Sequence, residues 1–431
     1  MATSFALLAL AALLSHGNGG APKAPAAPAG EPGGPALYLV AAKVLTAEWR
    51  GPGFIDHGAV VVRDGRIVAV GRRAEVAVPE GAEVRDLGAD WLMPGIVELH
   101  CHIAGAMGLN DMVHLTNTGL RASADVIPRT EALEVGMAAG VTTVLYIPGS
   151  GTNVGGEGVL LRTGFEHYED TLVRDPGSLK LAQAGNPERW LTRPQRSFMN
   201  WNTRNTFERG VAYAKAWETF EAQGGTPPIK DPQWEIFRSL RKREAQISTH
   251  TQIYQVVLQT INTVHDGLGL PVFIDHGSFD SWRTGPLVKE RGMYAIVGPR
   301  GIDVPEAGFI RWSGSNPEAI LGCAAEFQKQ GVELIGFNTD SPVVPQEELP
   351  LQAAMGVKYG FDNSKLQAIK GLTIVPAMTV GLQDDIGSIE VGKSADLVRL
   401  TGDPIDPRAW IKQVWQRGTV TYDVASEPRL W

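Results

Sequence analysis

A chain of 431 residues with a formal net charge of −8 and two cysteines excludes several classes of protein at the outset. It is long enough to bury a large core without disulfide staples, and Cys101 and Cys323 form no CxxC pair. The acidic balance, with no basic stripe carrying interleaved aromatics, argues against nucleic acid as a partner and leaves small or peptide-like molecules as the expected substrates.

Taken in chain order, the first feature is the apolar run Phe5 to Leu14, too short to span a bilayer and followed by small and polar residues. Residues 1–21 therefore read as a secretory signal peptide, which predicts a periplasmic or secreted protein with no stable membrane span. No Lys or Arg precedes the run, and a misassigned start would instead leave the protein cytoplasmic. Residues 22–35 are mostly Ala, Pro and Gly, a composition that buries no apolar surface and reads as a linker.

Residues 36–93 show short β-rich runs separated by turn chemistry, including the Asp64-Gly65 pair, and predict the N-terminal part of a small β-sandwich. From 94 to 384 the pattern changes to buried apolar strands alternating with helical stretches, the signature of parallel βα units. Eight strand candidates ("GIVELHCHI", "VTTVLYIPG", "GVLLRTG", "SLKLAQAG", "AQISTHT", "PVFIDHG", "MYAIVGP", "VELIGFNTD") predict a closed α/β (β/α)8 TIM barrel. Helices are expected at "TEALEVGMAAG", "FERGVAYAKAWETFEAQ" and "NPEAILGCAAEFQKQG". Residues 385–431 return to short β-runs and are expected to complete the sandwich, so that both chain ends build one small domain.

Residues two apart on a strand share a face, so His100 and His102 would present two imidazoles side by side, with Cys101 turned away. Nine histidines in the chain make one such pair unremarkable by itself, and two polar residues at a strand end are the bland alternative. Position strengthens the case, because Lys180, His250, His276 and Asp340 each fall at or just beyond the C-terminal end of a separate predicted strand. Those ends converge on one face of a parallel barrel, where imidazole and carboxylate ligands could complete a zinc-type site. A surface or salt-bridging Lys180, a structural His276 and a turn-forming Asp340 before Ser341-Pro342 are the competing readings. His57, His114, His167 and His265 have no spacing that recruits them, and Trp201 to Phe207, with Arg204 and Arg209, reads as a lid or helix face. "PGSGTNVGGEGVLLRTG" lacks the Gly-Lys-Ser/Thr ending of a phosphate loop, although Gly155 and Gly156 could allow a substrate to approach the backbone.

"LMPGIVELHCH", "AAGVTTV", "IGFNTDSP" and "IGSIEVGKSADLVRLTGDPID" resemble, in order and spacing, the landmarks of the amidohydrolase superfamily, most closely its imidazolonepropionase-related and dipeptidase-like branch. The resemblance runs from Ala36 to Asp423. It implies one or two divalent metal ions, most simply zinc, with His100 and His102 as ligands of the first. It further implies Lys180 as a bridging ligand once carboxylated, His250 and His276 as ligands of a second metal, and Asp340 as metal ligand and proton shuttle. Gln252 departs from the pattern, since relatives often carry a second histidine there, and it leaves the metal count open. The implied activity is hydrolysis of a C–N bond in an amide, dipeptide or cyclic amide by a metal-activated hydroxide. Deamination of a ring amidine on the same centre is the alternative, as is an inactive binding subunit that keeps the fold. Assembly into a homo-oligomer stays open.

Overall fold

Asp64 and Gly65 both adopt positive φ, 49° and 72°, as a two-residue turn between twisted antiparallel strands requires. This turn is part of a computed structural model that describes residues 34–106, 109–189, 193–299, 301–305 and 317–431. The expected signal peptide and all of the linker except Gly34 and Pro35 lie outside the described residues.

The turn joins β2 (Phe54–Arg63) to β3 (Arg66–Arg72). With β1 (Leu37–Leu45), β4 (Glu83–Asp86) and β5 (Trp91–Pro94) from the N-terminal side, and β16 (Leu397–Leu400), β17 (Ile411–Gln416) and β18 (Thr419–Asp423) from the C-terminal side, they form one eight-stranded sheet. Its seam is the antiparallel pairing of β5 with β16, where Leu397 faces Pro94 and Leu400 faces Trp91. Asp90, almost fully buried, reinforces that seam by accepting from Arg399 at 2.7 Å and from Lys412 at 2.9 Å. A buried carboxylate needs such partners, so the pairing ties the two chain ends together.

The rest of the chain is mixed α/β. Eight further strands pair in the order β6 (Ile96–Cys101), β7 (Val141–Tyr146), β8 (Val154–Arg162), β9 (Leu172–Ala182), β10 (Gln246–His250), β11 (Ile274–His276), β12 (Ala295–Val297) and β15 (Ile335–Phe337). Isolated parallel bridges connect β10 to β11, at Ile247 with Val272 and Thr251 with His276, and a Cys101–Ser341 bridge returns the order to β6. Every residue of β6, β7 and β8 is buried, consistent with strands covered on both faces. A short antiparallel pair, β13 (Ile302–Asp303) and β14 (Leu321–Gly322), lies outside this order.

One strand corrects the expectation of an all-parallel barrel: β8 runs antiparallel to both β7 and β9. The reason is chain length. Only residues 147–153 separate β7 from β8, whereas a parallel return needs a crossover of about a dozen residues or more. The strand begins four residues before the predicted "GVLLRTG", so Gly155 and Gly156 lie inside it.

Local chemistry sets the ends of two of the helices. Thr130 caps the helix Glu131–Ala138 by accepting from the Leu133 amide, and Gly140 follows at φ 90°. The long helix Arg196–Gln223 stops at Gly224, and it carries the segment from Trp201 to Phe207 with Arg204 and Arg209 exposed on its outer face. The expected helix over residues 316–331 is shorter, Cys323–Lys329, because β14 occupies its beginning. Among the described residues no helix is long and apolar enough to cross a membrane.

Candidate metal centre

Strand alternation places Glu98 and His100 on one face of β6, and His102 follows just past its end. Nε2 of His100 stands 3.1 Å and Nε2 of His102 3.2 Å from the same atom, Oδ1 of Asp340. Their Nδ1 atoms are committed elsewhere, His100 to Asp275 Oδ2 at 2.7 Å and His102 to the Ile147 carbonyl at 2.8 Å. Assigning a ring proton to Nδ1 in each case leaves Nε2 as the atom of each ring that faces the Asp340 carboxylate.

Lys180, on β9, is wholly buried, and its Nζ lies 3.2 Å from His100 Nε2. That overturns the surface-lysine reading. Burial pushes its pKa down from 10.5 to about 8, partly countered by Asp275 and Asp340. At the end of β10, Nδ1 of His250 sits 2.7 Å from Nε2 of His276, whose Nδ1 donates to the Gly298 carbonyl at 2.9 Å. The His276 ring is also 4.4 Å from that of His100, so the two pairs form one cluster.

Electrostatics divides the cluster. Burial holds the pKa of His276 down at about 4 and that of His250 well below the usual range, so both rings are neutral and can offer lone pairs. Burial acts in the same direction on His102. For His100 burial is outweighed by Asp275 and Asp340, which raise it to about 9, so its Nε2 carries a proton that a bound cation would displace. Burial would raise the pKa of Asp340, but the neighbouring His100 and His102 hold its carboxyl well below the ordinary value, so it is ionised.

The donor set fits a divalent cation. His250 Nε2 is buried with no hydrogen-bond partner, and with Nδ1 against His276 either tautomer leaves one ring nitrogen unsatisfied. A cation between His250 Nδ1 and His276 Nε2 would use both of those lone pairs. His100, His102 and Asp340 likewise offer ligand atoms all within 4.8 Å of one another, as do His100, Asp275 and His276. Backbone strain marks the same residues: His276 and Asp340 are non-glycine residues at φ 72° and 52°. Such conformations persist where surrounding contacts over-determine them, which is common at functional sites.

All six residues proposed from the sequence as ligands are therefore brought together. Gln252 is half-buried just past β10, and His250 alone represents that strand in the cluster. Gly156 has φ 121° and leaves only 2.7 Å between a would-be Cβ and the Leu120 carbonyl, while a Cβ on Gly155 would stand 3.4 Å from Lys180 Cγ. Both glycines have packing reasons to be there. Of the histidines set aside, His57, His114 and His167 are exposed and His265 pairs with Asp266 at 2.8 Å.

Two buried carboxylates escaped the sequence reading. Asp275 receives His100 Nδ1, the Asn338 amide at 3.1 Å and the His276 backbone N–H at 3.0 Å. Glu98 accepts from the His100 backbone N–H at 3.0 Å and from Thr339 through both N–H (3.1 Å) and hydroxyl (2.8 Å). Burial pushes Glu98 up to about 8 despite the Thr339 hydroxyl and the two backbone donors. Period-two reasoning could have found Glu98, two residues before His100. It hides Asp275, because adjacent strand residues should face apart, and the positive φ of His276 breaks that alternation.

The family model described as the amidohydrolase family matches residues 318–424. The amidohydrolase tasK of Hapsidospora irregularis is 24% identical over 89% of this chain, which spans 41% of that relative's length. An imidazolonepropionase of Sphingopyxis alaskensis is 23% identical, covering 85% of this chain and 92% of its own. Among solved structures, an amidohydrolase from Thermotoga maritima superposes with a TM-score of 0.78 at 28% identity, over 90% of this chain and 100% of that one.

Proposed function

This chain belongs to the amidohydrolase superfamily, and from that premise we propose that it hydrolyses a C–N bond in an amide, dipeptide or cyclic amide. The observation that carries the reading is the convergence of His100 Nε2, His102 Nε2 and Asp340 Oδ1 beside buried Lys180 and the His250–His276 pair. Those six residues would hold the metal, with Lys180 taking part as its carbamate, since an ammonium offers no lone pair. A divalent ion there, zinc by the nitrogen and oxygen character of the donors, would lower the pKa of water and polarise the bond to be cleaved.

The chain's own groups supply the proton traffic. Asp340 is ionised and partly open to solvent, 15% exposed, so its carboxylate can take the proton of the attacking water. The same carboxyl then returns that proton to the departing nitrogen, which leaves as an amine while the acyl carbon keeps the hydroxyl. Asp275 fixes the ring of His100, and the Ile147 carbonyl fixes that of His102, so that neither imidazole turns its lone pair away. Gly155, without a side chain, keeps the wall beside Lys180 thin.

Metal analysis of the purified protein, combined with a screen of amides, lactams, dipeptides and ring amidines, tests the reading. Retained zinc, manganese, nickel or iron and turnover that disappears in Asp340→Asn support it. Deamination alone would move it to the ring-amidine alternative. Absence of metal, with His100→Ala leaving every activity unchanged, would overturn it.

A further inference from the structure

Glu157 lies on β8 opposite Leu179, one residue from the Gly156–Lys180 pair. Alternation therefore sends its side chain out of the sheet on the face away from Lys180 and the histidines. There it forms the floor of a cavity of about 240 Å³, whose walls and mouth include Arg121, Glu235, Arg238, Lys242 and Glu244. No member of the histidine cluster lines it.

The floor is short of partners. Glu157 is 1% exposed, and among the described residues its Oε1 has no hydrogen-bond donor and its Oε2 meets only the Nε of Arg121 at 3.2 Å, from a side chain that is itself 52% exposed. Buried carboxylates normally accept several hydrogen bonds. The other acids nearby make matters worse, since burial first, and then Asp175 and Glu235, raise its pKa from 4.5 to about 7 against the pull of Arg121. Nor do the cations at the mouth reach down to it: Arg238 is held by Glu221 at 2.7 Å and Glu235 at 2.9 Å, and Lys242 by Glu221 at 3.2 Å. Both remain partly exposed, 22% and 39%, with N–H groups available to a further anion.

An ammonium group with three donors is what the floor lacks, and a carboxylate is what the mouth can receive. The space far exceeds the ~30 Å³ of one water, so a bare ion would leave it mostly empty. We propose that this cavity is a second ligand site, separate from the metal centre, that binds a free α-amino acid with its ammonium on Glu157 and its carboxylate toward Arg238 and Lys242.

Calorimetric titration of the full chain with glycine and L-lysine tests this, with methylammonium and acetate as the two half-ligands and magnesium chloride as a bare cation. The expected result is saturable amino-acid binding, with each half-ligand about tenfold weaker or more. Glu157→Gln should cost at least about tenfold. Lys242→Ala, a change at an exposed residue, should weaken amino acids while leaving methylammonium unchanged. His100→Ala should leave binding intact, which separates this site from the metal centre. No saturable binding, binding unchanged in Glu157→Gln, binding lost in His100→Ala, or binding of magnesium alone would each overturn the proposal.

Discussion

Asp275 and His100 meet through a 2.7 Å hydrogen bond in which both side chains are completely buried. The bond commits His100 Nδ1 as a donor and so turns its Nε2 toward Asp340. A carboxylate behind a metal-binding imidazole typically accounts for ten- to a hundredfold of metal affinity. Asp275→Asn should therefore fold but bind zinc about 10- to 100-fold more weakly in chelator competition. Unchanged affinity would mean that Asp275 serves only the packing of β11.

Glu98 joins the strand of His100 to the residue before Asp340, since its two oxygens reach the His100 and Thr339 backbones. Glu98→Gln sets an amide N–H against one of these donors. A loss of about 1–3 kcal/mol in urea unfolding is expected, together with weaker metal retention, because the His100 and Thr339 backbones lose their common anchor. A variant as stable as the parent would count against this clasp.

Lys180→Met keeps the buried volume and removes the amine, so stability should change by less than about 1.5 kcal/mol. Metal content by elemental analysis should nevertheless fall. Full metal loading in Lys180→Met would exclude Lys180 from the centre.

Glu157 gives a pH signature away from the histidine cluster. Its folded pKa, about 7, lies above its ordinary 4.5, so between those values the native state holds a proton that the unfolded chain has released. The associated stability is fully present below about pH 4.5 and is lost as pH rises through 7, about 3–4 kcal/mol in all at 1.4 kcal/mol per pH unit. Glu157→Gln should flatten this part of the profile, so that its urea midpoint relative to the parent improves from pH 5 to pH 8. An identical slope in both proteins would refute the assignment.

Gly156→Ala introduces a Cβ 2.7 Å from the Leu120 carbonyl at a φ of 121°. A loss of about 1–3 kcal/mol in stability is expected, read by denaturant unfolding. Gly224→Ala makes a useful control, since nothing lies within 4 Å of its would-be Cβ although its φ of 73° carries the same kind of strain.

Much of the centre could be read from local chemistry. His100 and His102 share a face because strands alternate, and Lys180, His250, His276 and Asp340 were found because each closes an apolar strand. The turn at Asp64-Gly65 and the helix cap at Thr130 are likewise local, set by the φ that glycine and aspartate tolerate and by a hydroxyl within reach of a free N–H.

Direction, pairing and burial are not local, and there the tertiary structure decided. The seven residues between β7 and β8 leave no room for a crossover, so an apolar run that periodicity alone would assign to a parallel strand runs the other way. Lys180 and a surface lysine are the same letter; only the packing that buries Lys180 completely against His100 separates them. Asp275 became visible only because His276 leaves the strand conformation, and Glu157 only because the chain folds a cavity over a carboxylate that β8 turns away from the histidine cluster. Residue spacing settled which donors this protein could assemble, while long-range pairing and desolvation settled which of them meet and what charge each carries.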